Sequence, residues 1–153
     1  MGLITILSSK NWSLGPKLPD NLIYPCTVNV NSSLTFIFGR NASNLKDAQN
    51  NAFLLDHIEG EWTDISQDIP CPINEPTLYK YSCGFLRTIR FAFVSVENCT
   101  AVYDIQSFNW TFISSPLANG VVFNNDEKEN SLFLIGISQN GQSELHKVNS
   151  SVL

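Results

Sequence analysis

Apolar and polar residues alternate along most of the chain in short runs, and turn-forming residues separate the runs. No segment keeps the 3.6-residue period that an amphipathic helix requires. The alternation predicts four antiparallel strands at 26–30, 34–39, 52–56 and 61–65, and four more at 82–86, 89–96, 100–105 and 109–113. A further three are predicted at 120–123, 131–136 and 143–147. The segment 40–51 is expected to be a long polar loop with one helical turn at 45–48.

One short motif is repeated along the chain. Asp56 and Asp104 each close an apolar strand, and in both cases a Trp follows six residues later. Trp12, Trp62 and Trp110 stand 50 and then 48 residues apart. A constant period of this length is typical of stacked or circular repeats. We therefore divide the chain into the last strands of a preceding unit (1–19), two full units (20–66 and 67–115) and an incomplete unit (116–153).

A four-stranded unit with a Trp on its outermost strand resembles the Kelch repeat of β-propeller proteins. Three features carry the resemblance: Gly-Pro-Lys-Leu-Pro at 15–19, the strands that end at Gly39 and Gly136, and the Asp-to-Trp motif. Kelch blades usually have two adjacent glycines after the second strand, whereas this chain has one or none. A propeller of another repeat type is therefore an alternative. The resemblance implies an all-β, incomplete β-propeller of about three four-stranded antiparallel blades.

Three blades are too few to close a ring, because propellers usually have four to eight. The chain is therefore expected to be a piece of a longer protein, in preference to an oligomerising unit or a degenerate gene product. Exposed blade faces at its two ends predict self-association.

Charge and hydropathy narrow the classes of partner. The net charge is -5 with scattered basic residues, whereas nucleic-acid binding needs clustered Lys and Arg. No apolar run approaches the ~20 residues needed to span a bilayer. We therefore expect neither nucleic-acid binding nor a membrane span.

Glycosylation motifs are more frequent than chance predicts. Six Asn residues begin an Asn-x-Ser/Thr sequence, against about 3 expected from this composition. These acceptor residues are Asn11, Asn31, Asn41, Asn98, Asn109 and Asn149. Together with an even number of cysteines, they favour a secreted or extracellular protein over a cytoplasmic one.

The four cysteines, Cys26, Cys71, Cys83 and Cys99, allow three pairings. On the predicted strand map, the start of a first strand lies beside the end of the second, so a disulfide between Cys83 and Cys99 is the best local candidate. Cys71 is a rival partner for either one. The alternative is four buried free thiols in a cytosolic propeller.

No residue pattern indicates catalysis. The two histidines, His57 and His146, have no evident partner, and we assign His146 to the position that Asp56 and Asp104 occupy in their own units. Nucleophile-elbow, phosphate-loop and zinc-finger motifs are absent from the sequence. We expect no catalytic residue, no metal site and no cofactor, and we interpret the repeated Asp as a turn residue that bonds to backbone. The repeated Trp is interpreted as a plug between adjacent blades and not as a sugar-stacking platform.

Binding is implied by the Kelch resemblance. In that family the partner docks on one face of the ring, which here would be formed by the segments 40–51, 66–79, 97–99 and 137–142. The first binding contacts expected there are Arg40, Lys46, Asp47 and Tyr79. The function predicted for the chain is therefore non-enzymatic recognition of a protein or glycan partner. Its alternatives are an intracellular Kelch adaptor that recruits substrates to a ubiquitin ligase, or part of a galactose-oxidase-like enzyme.

Overall fold

Three antiparallel β-sheets form the computed structural model, which describes residues 15–41, 49–71, 81–87, 90–96, 99–114, 117–124 and 131–148. Sheet A contains β1 (Leu22–Asn29), β2 (Leu34–Asn41), β3 (Asn50–Asp56) and β4 (Glu61–Asp64) in that order. Sheet B contains β5 (Ser82–Leu86), β6 (Phe91–Val96), β7 (Cys99–Asp104) and β8 (Asn109–Ile113) in that order. Sheet C contains β9 (Ala118–Asn124), β10 (Leu132–Ile137) and β11 (Ser143–Val148), with β10 in the centre. The expected all-β class is confirmed for these residues, and the helical turn expected at 45–48 lies outside them.

Sheets A and B share the same register. Leu34 of β2 pairs with Asp56 at the end of β3, and Phe91 of β6 pairs with Asp104 at the end of β7. The fourth strand then adds to the third so that Trp62 lies opposite Leu55 and Trp110 lies opposite Tyr103. The repeat found in the sequence therefore corresponds to one repeated sheet.

The largest difference from the predicted strands is at β1, which begins at Leu22 instead of residue 26. Its pairing with β2 is interrupted between Ile23 and Cys26, where Tyr24 has a φ of 52° and is followed by Pro25. Such a bulge on an edge strand tolerates a proline, because no ladder hydrogen bond is required of it. Tyr24 and Pro25 are typical of a turn in sequence, but in the structure they form a bulge within one strand, β1.

Sheet B lies between the other two sheets and contributes to two cores. Ala92 and Val94 of β6 join the first core with Phe36 and Phe38 of sheet A. Phe93, which lies between them in sequence, joins the second core with the buried leucines of sheet C. Successive side chains of a strand point to opposite faces, so one apolar strand can serve both cores.

Trp110 fills the space between sheets A and B. Its indole contacts the rings of Phe36, Phe38 and Tyr103 at centroid distances of 6.1, 6.1 and 5.0 Å. Its Nε1 donates a hydrogen bond of 2.7 Å to the carbonyl oxygen of Ile65, at the end of sheet A. The predicted role of this Trp as a plug is confirmed.

Trp62 holds the equivalent position in sheet A but faces away from sheet B. It meets the ring of Phe53 edge-on, and its buried Nε1 has no hydrogen-bond partner within the described ranges. Trp12 lies outside the described residues.

One disulfide joins sheet A to sheet B, and a second joins Cys71, in the connection between the two sheets, to sheet B. Cys26 of β1 is bonded to Cys83 of β5, and Cys71 is bonded to Cys99 of β7. The expected bond between Cys83 and Cys99 is therefore wrong, although both residues are oxidised. The register explains the error: Cys83 pairs with Val94, and Val94 pairs with Ala101, so β6 separates Cys83 from β7 by two strand spacings, about 10 Å. A disulfide requires Cα atoms within about 7 Å.

Candidate recognition rim

A cluster of polar groups lies where the ends of β2 and β3 meet the start of sheet B. Arg40 and Asn50 face each other across the β2–β3 ladder, and Tyr81 immediately precedes β5. The backbone carbonyl of Cys71 completes the group, which we call the rim cluster. All four residues are buried, with 3 to 9% of their surface exposed.

Hydrogen bonds connect three members of the rim cluster. The Tyr81 hydroxyl donates to Oδ1 of Asn50 at 3.0 Å, and Nδ2 of Asn50 donates to the carbonyl of Cys71 at 2.9 Å. Cys71 is itself held by the disulfide to Cys99. Buried polar groups that are satisfied in this way hold their residues in place, so Cys71 and Tyr81 are fixed against Asn50 of sheet A.

Arg40 is the charged member of the rim cluster, and its charge is not matched by a described residue. Its Nε is buried and has no hydrogen-bond partner among the described residues, and the residue is 6% exposed. The described residues form one ion pair, between His146 and Glu144, so none of them supplies a carboxylate to Arg40. Because a guanidinium stays protonated in proteins, its burial leaves a strong preference for an anion nearby.

The charge of Arg40 also acts on Tyr81. Burial raises the pKa of the Tyr81 hydroxyl, and the positive charge of Arg40 partly opposes that rise. The hydroxyl therefore remains a neutral hydrogen-bond donor to Asn50 at physiological pH.

The binding contacts expected from the sequence are only partly visible. Arg40 was expected in a polar loop, but it lies in β2, because the β2–β3 ladder continues through Arg40 and Asn50. Lys46, Asp47 and Tyr79 lie outside the described residues. Asn50 and Tyr81 were missed, since a polar residue at a strand end gives no local sign that a neighbouring sheet will bury it.

Three of the expected glycan acceptors can be located. Asn31 is exposed, and its Oδ1 accepts hydrogen bonds from the backbone N and the Oγ of Ser33 in the β1–β2 turn. Asn109 is exposed at the start of β8, and Asn41 is partly exposed at the end of β2. Asn11, Asn98 and Asn149 lie outside the described residues.

The repeated acids act as turn residues, as predicted. Oδ1 of Asp56 accepts hydrogen bonds from the backbone N of Ile58 and of Glu59. Asp104 bonds in the same way to the backbone N of Gln106 and also accepts a bond from the Ser107 hydroxyl. Desolvation opposes ionisation of Asp104, but these hydrogen bonds outweigh it and lower its pKa.

The two histidines lie in different sheets. Nε2 of His57 is 2.8 Å from Oγ1 of Thr35, and Nε2 of His146 is 2.8 Å from a carboxylate oxygen of Glu144. Assigning His146 to the Asp56 position was wrong, because His146 pairs with Leu134 in the middle of β10. Asp56 is the last residue of β3, whereas His146 lies two residues before the end of β11 at Val148.

Within the described part of the chain, no group of three or more His, Cys, Asp or Glu residues is placed to hold a metal ion. The same residues include no helix that is long and apolar enough to cross a membrane. Comparison of the chain with protein-family models gives no match, and comparison with curated proteins gives no significant match.

Proposed function

We propose that this chain is a non-enzymatic recognition module, built as a segment of a Kelch-like β-propeller, that binds an anionic group of a protein or glycan partner at the rim cluster. Three stacked sheets with a repeated register, a Trp plug and Asp-capped turns support the propeller. The loops that follow β2, β6 and β10 leave their sheets at the same end as the rim cluster. That end is therefore the side on which we place the partner.

No residue in the described part of the chain supplies a carboxylate to buried Arg40, and this observation carries the proposal. A carboxylate or sulfate can accept two parallel hydrogen bonds from a guanidinium, which combines charge neutralisation with a fixed orientation. Acidic side chains of a protein and the uronate or sulfate groups of a glycan share this chemistry. Because Asn50, Tyr81 and the Cys71–Cys99 disulfide fix the surroundings of Arg40, little ordering is needed when the anion binds.

We place the module in a secreted or extracellular location. Two disulfides join segments 57 and 28 residues apart, and disulfides persist mainly in oxidising compartments. The intracellular adaptor predicts four free thiols, whereas the described cysteines are all paired. Exposure of Asn31 and Asn109 also leaves room for glycans.

Binding is tested with two probes, a poly-glutamate peptide and a sulfated, uronate-containing oligosaccharide, by calorimetry on wild type and Arg40→Gln. We expect wild type to bind at least one probe and Arg40→Gln to bind it at least tenfold more weakly. Arg90→Gln is the matched control, since it removes the same charge from an exposed turn at the other end of sheet B. Equal binding by both variants, or no binding by wild type, would overturn the role of the rim.

Location is tested by the intact mass of the chain after secretion, with thiols alkylated before and after reduction. We expect glycan mass that falls in Asn31→Gln and Asn109→Gln variants, and no alkylation before reduction. An unglycosylated chain with four alkylated thiols would favour the intracellular adaptor instead.

A further inference from the structure

The sequence contains two Asn-Gly pairs, and the structure places them in opposite surroundings. Asn119 and Gly120 lie within β9, where Gly120 is buried. A Cβ added at Gly120 would lie 2.6 Å from Cδ1 of Leu134, so neighbouring atoms fill the space around this backbone. Asn140 and Gly141 lie in the exposed turn between β10 and β11, and among the described residues only their chain neighbours come within 4 Å of a Cβ at Gly141. The same pair is therefore packed in one case and open to solvent in the other.

Backbone hydrogen bonds close the turn between β10 and β11. The N–H of Ser138 donates to the carbonyl of Gln142 at 2.8 Å, and the N–H of Gly141 donates to the carbonyl of Ser138 at 2.9 Å. Gly141 has a φ of 75°, a left-handed conformation that glycine adopts freely and that hairpin loops of this kind require. No described residue forms a hydrogen bond with the side chain of Asn140. The Asn140 amide is thus exposed, and no Cβ shields the backbone nitrogen that follows it.

An exposed Asn followed by Gly can react with its own backbone. The nitrogen of Gly141 gives up its proton to solvent and attacks Cγ of Asn140, the N–Cγ bond forms, and the side-chain nitrogen takes up a proton and leaves as ammonia. Water then opens the resulting succinimide ring at one of its two C–N bonds. Opening at Cγ leaves aspartate, whereas opening at the backbone carbonyl leaves isoaspartate, in which the chain runs through Cγ. The net change replaces an amide by a carboxylate, with one water consumed and one ammonia released.

We propose that Asn140 is a modification site, at which this deamidation occurs in the folded protein, and that the fold protects Asn119 from the same reaction. In the closed turn the N–H of Gly141 is engaged with Ser138, so the reaction proceeds when the turn opens. Opening an exposed hairpin turn costs far less free energy than global unfolding, whereas freeing Asn119 requires β9 to leave its packed surroundings. The proposal rests on the placement of the two Asn-Gly pairs and is independent of anion binding at Arg40.

The isoaspartate product opens the hairpin. Its extra backbone carbon lies between the Cα of residue 140 and the nitrogen of Gly141, so the spacing that the two hydrogen bonds of Ser138 require is lost. Ile137 and Ser143, the pair at the end of the β10–β11 ladder, lie next to this turn. The start of β11 therefore separates from β10 in the isoaspartate form. The aspartate form keeps the original backbone and the closed turn.

Peptide mapping by mass spectrometry tests the site, after incubation of the chain in mildly alkaline buffer with and without urea. In the native protein, deamidation is expected at Asn140 at a rate at least about tenfold higher than at Asn119. In urea the two sites are expected to react at similar rates, because both Asn residues precede Gly and the fold no longer distinguishes them. Equal native rates at the two sites, or an unmodified Asn140 in native protein under conditions where both sites react in urea, would overturn the proposal.

Asn140→Gln is the matched variant for the chemistry. Its additional methylene would require a larger ring to form, which slows attack by the nitrogen of Gly141, while the side chain stays exposed and neutral. The variant is expected to remain unmodified at residue 140 throughout the native incubation and to leave the reaction of Asn119 in urea unchanged. Native deamidation of Asn140→Gln at the wild-type rate would contradict attack by Gly141.

Hydrogen exchange tests the effect on the hairpin. The isoaspartate fraction of aged protein, separated by ion exchange, is expected to lose protection at backbone amides near the turn in β10 and β11. Asn140→Asp carries the added charge without the extra backbone carbon, and it is expected to keep wild-type protection. Unchanged protection in the isoaspartate fraction, or an equal loss in Asn140→Asp, would overturn the opening of the hairpin by the lengthened backbone.

Discussion

Trp110 joins sheets A and B through its ring contacts and one hydrogen bond. It touches three aromatic rings drawn from both sheets, and its Nε1 donates a hydrogen bond to the backbone carbonyl of Ile65. Its contribution therefore combines burial, ring geometry and one hydrogen bond. The contribution of the hydrogen bond can be separated from that of burial, because Trp62 holds the equivalent position in sheet A and its Nε1 has no partner among the described residues.

Trp110→Phe is expected to lower the free energy of unfolding by about 2 to 4 kcal/mol, since it leaves a cavity and removes the donor to the buried Ile65 carbonyl. Trp62→Phe removes the same volume but breaks no hydrogen bond, so its loss should be smaller by about 1 kcal/mol. Urea titrations of the two variants at one low protein concentration measure the difference. A larger loss for Trp62→Phe would contradict this account.

Buried tyrosines make the fold sensitive to alkaline pH. Burial raises the pKa of Tyr103, and the negative charge of Asp104 raises it further. A hydroxyl that ionises less readily in the folded state binds more protons there than in the unfolded chain, so stability is complete below pH ~10 and falls as pH rises above it. Tyr103→Phe should reduce this fall in urea midpoints measured between pH 9 and 11. Tyr24→Phe, at an exposed side chain, is the matched control, and an unchanged slope in Tyr103→Phe would contradict the prediction.

At the scale of elements, the turns between the third and fourth strands of sheets A and B have the same backbone hydrogen bond and a positive φ at the same position, but different residues. Each turn closes with a backbone bond to the carbonyl of its Asp, donated by Gly60 in one case and Phe108 in the other. Both donors have a positive φ, of 71° and 58°. Glycine adopts this conformation freely, whereas a side chain raises its energy by roughly 1 kcal/mol.

Phe108→Gly is therefore expected to be neutral or stabilising by up to about 1 kcal/mol, because the exposed ring of Phe108 loses little burial. Gly60→Ala should destabilise by about 1 kcal/mol. A Cβ at Gly60 would have 3.9 Å to its nearest neighbour, so the cost would come from the backbone alone. Thermal unfolding of the two variants measures both effects. Destabilisation by Phe108→Gly together with no loss in Gly60→Ala would show that side-chain contacts, and not φ, control these turns.

Local patterns predicted the elements well, and long-range contacts account for the errors. The strands, the Asp turns and the Trp position follow from alternation and spacing, which act within a few residues. The β1 bulge was missed because Tyr24 and Pro25 look like a turn. Arg40 and Asn50 were placed in a loop because their burial depends on sheet B, and the disulfide pairing failed because β1 approaches β5 only after the sheets stack.

At the scale of the whole molecule, the three sheets are not held together equally. Sheet B shares a core with each neighbour, but the one disulfide between described sheets joins sheet A to sheet B, and the other joins Cys71 to β7 of sheet B. Among the described residues, sheet C is held to sheet B by packing and by a hydrogen bond of 2.8 Å from the backbone N of Val122 to Oγ of Ser82, and by no disulfide. The rim cluster lies at the junction of sheets A and B, which the Cys26–Cys83 disulfide joins. Among the described strands, β11 is an edge strand of sheet C.

Removal of the inter-sheet disulfide should expose this difference. The Cys26–Cys83 bond closes a loop of 57 residues, and in the chain-entropy model its loss costs about 4 kcal/mol. The Cys71–Cys99 bond closes 28 residues, for which the same model gives a loss smaller by about 0.6 kcal/mol. Paired Cys→Ala variants at each bond, unfolded in urea under identical conditions, provide matched measurements. Because β1 contacts β5 through the first bond, Cys26→Ala with Cys83→Ala should also weaken probe binding at Arg40. A loss below about 1 kcal/mol would mean that the A–B core alone holds these sheets together.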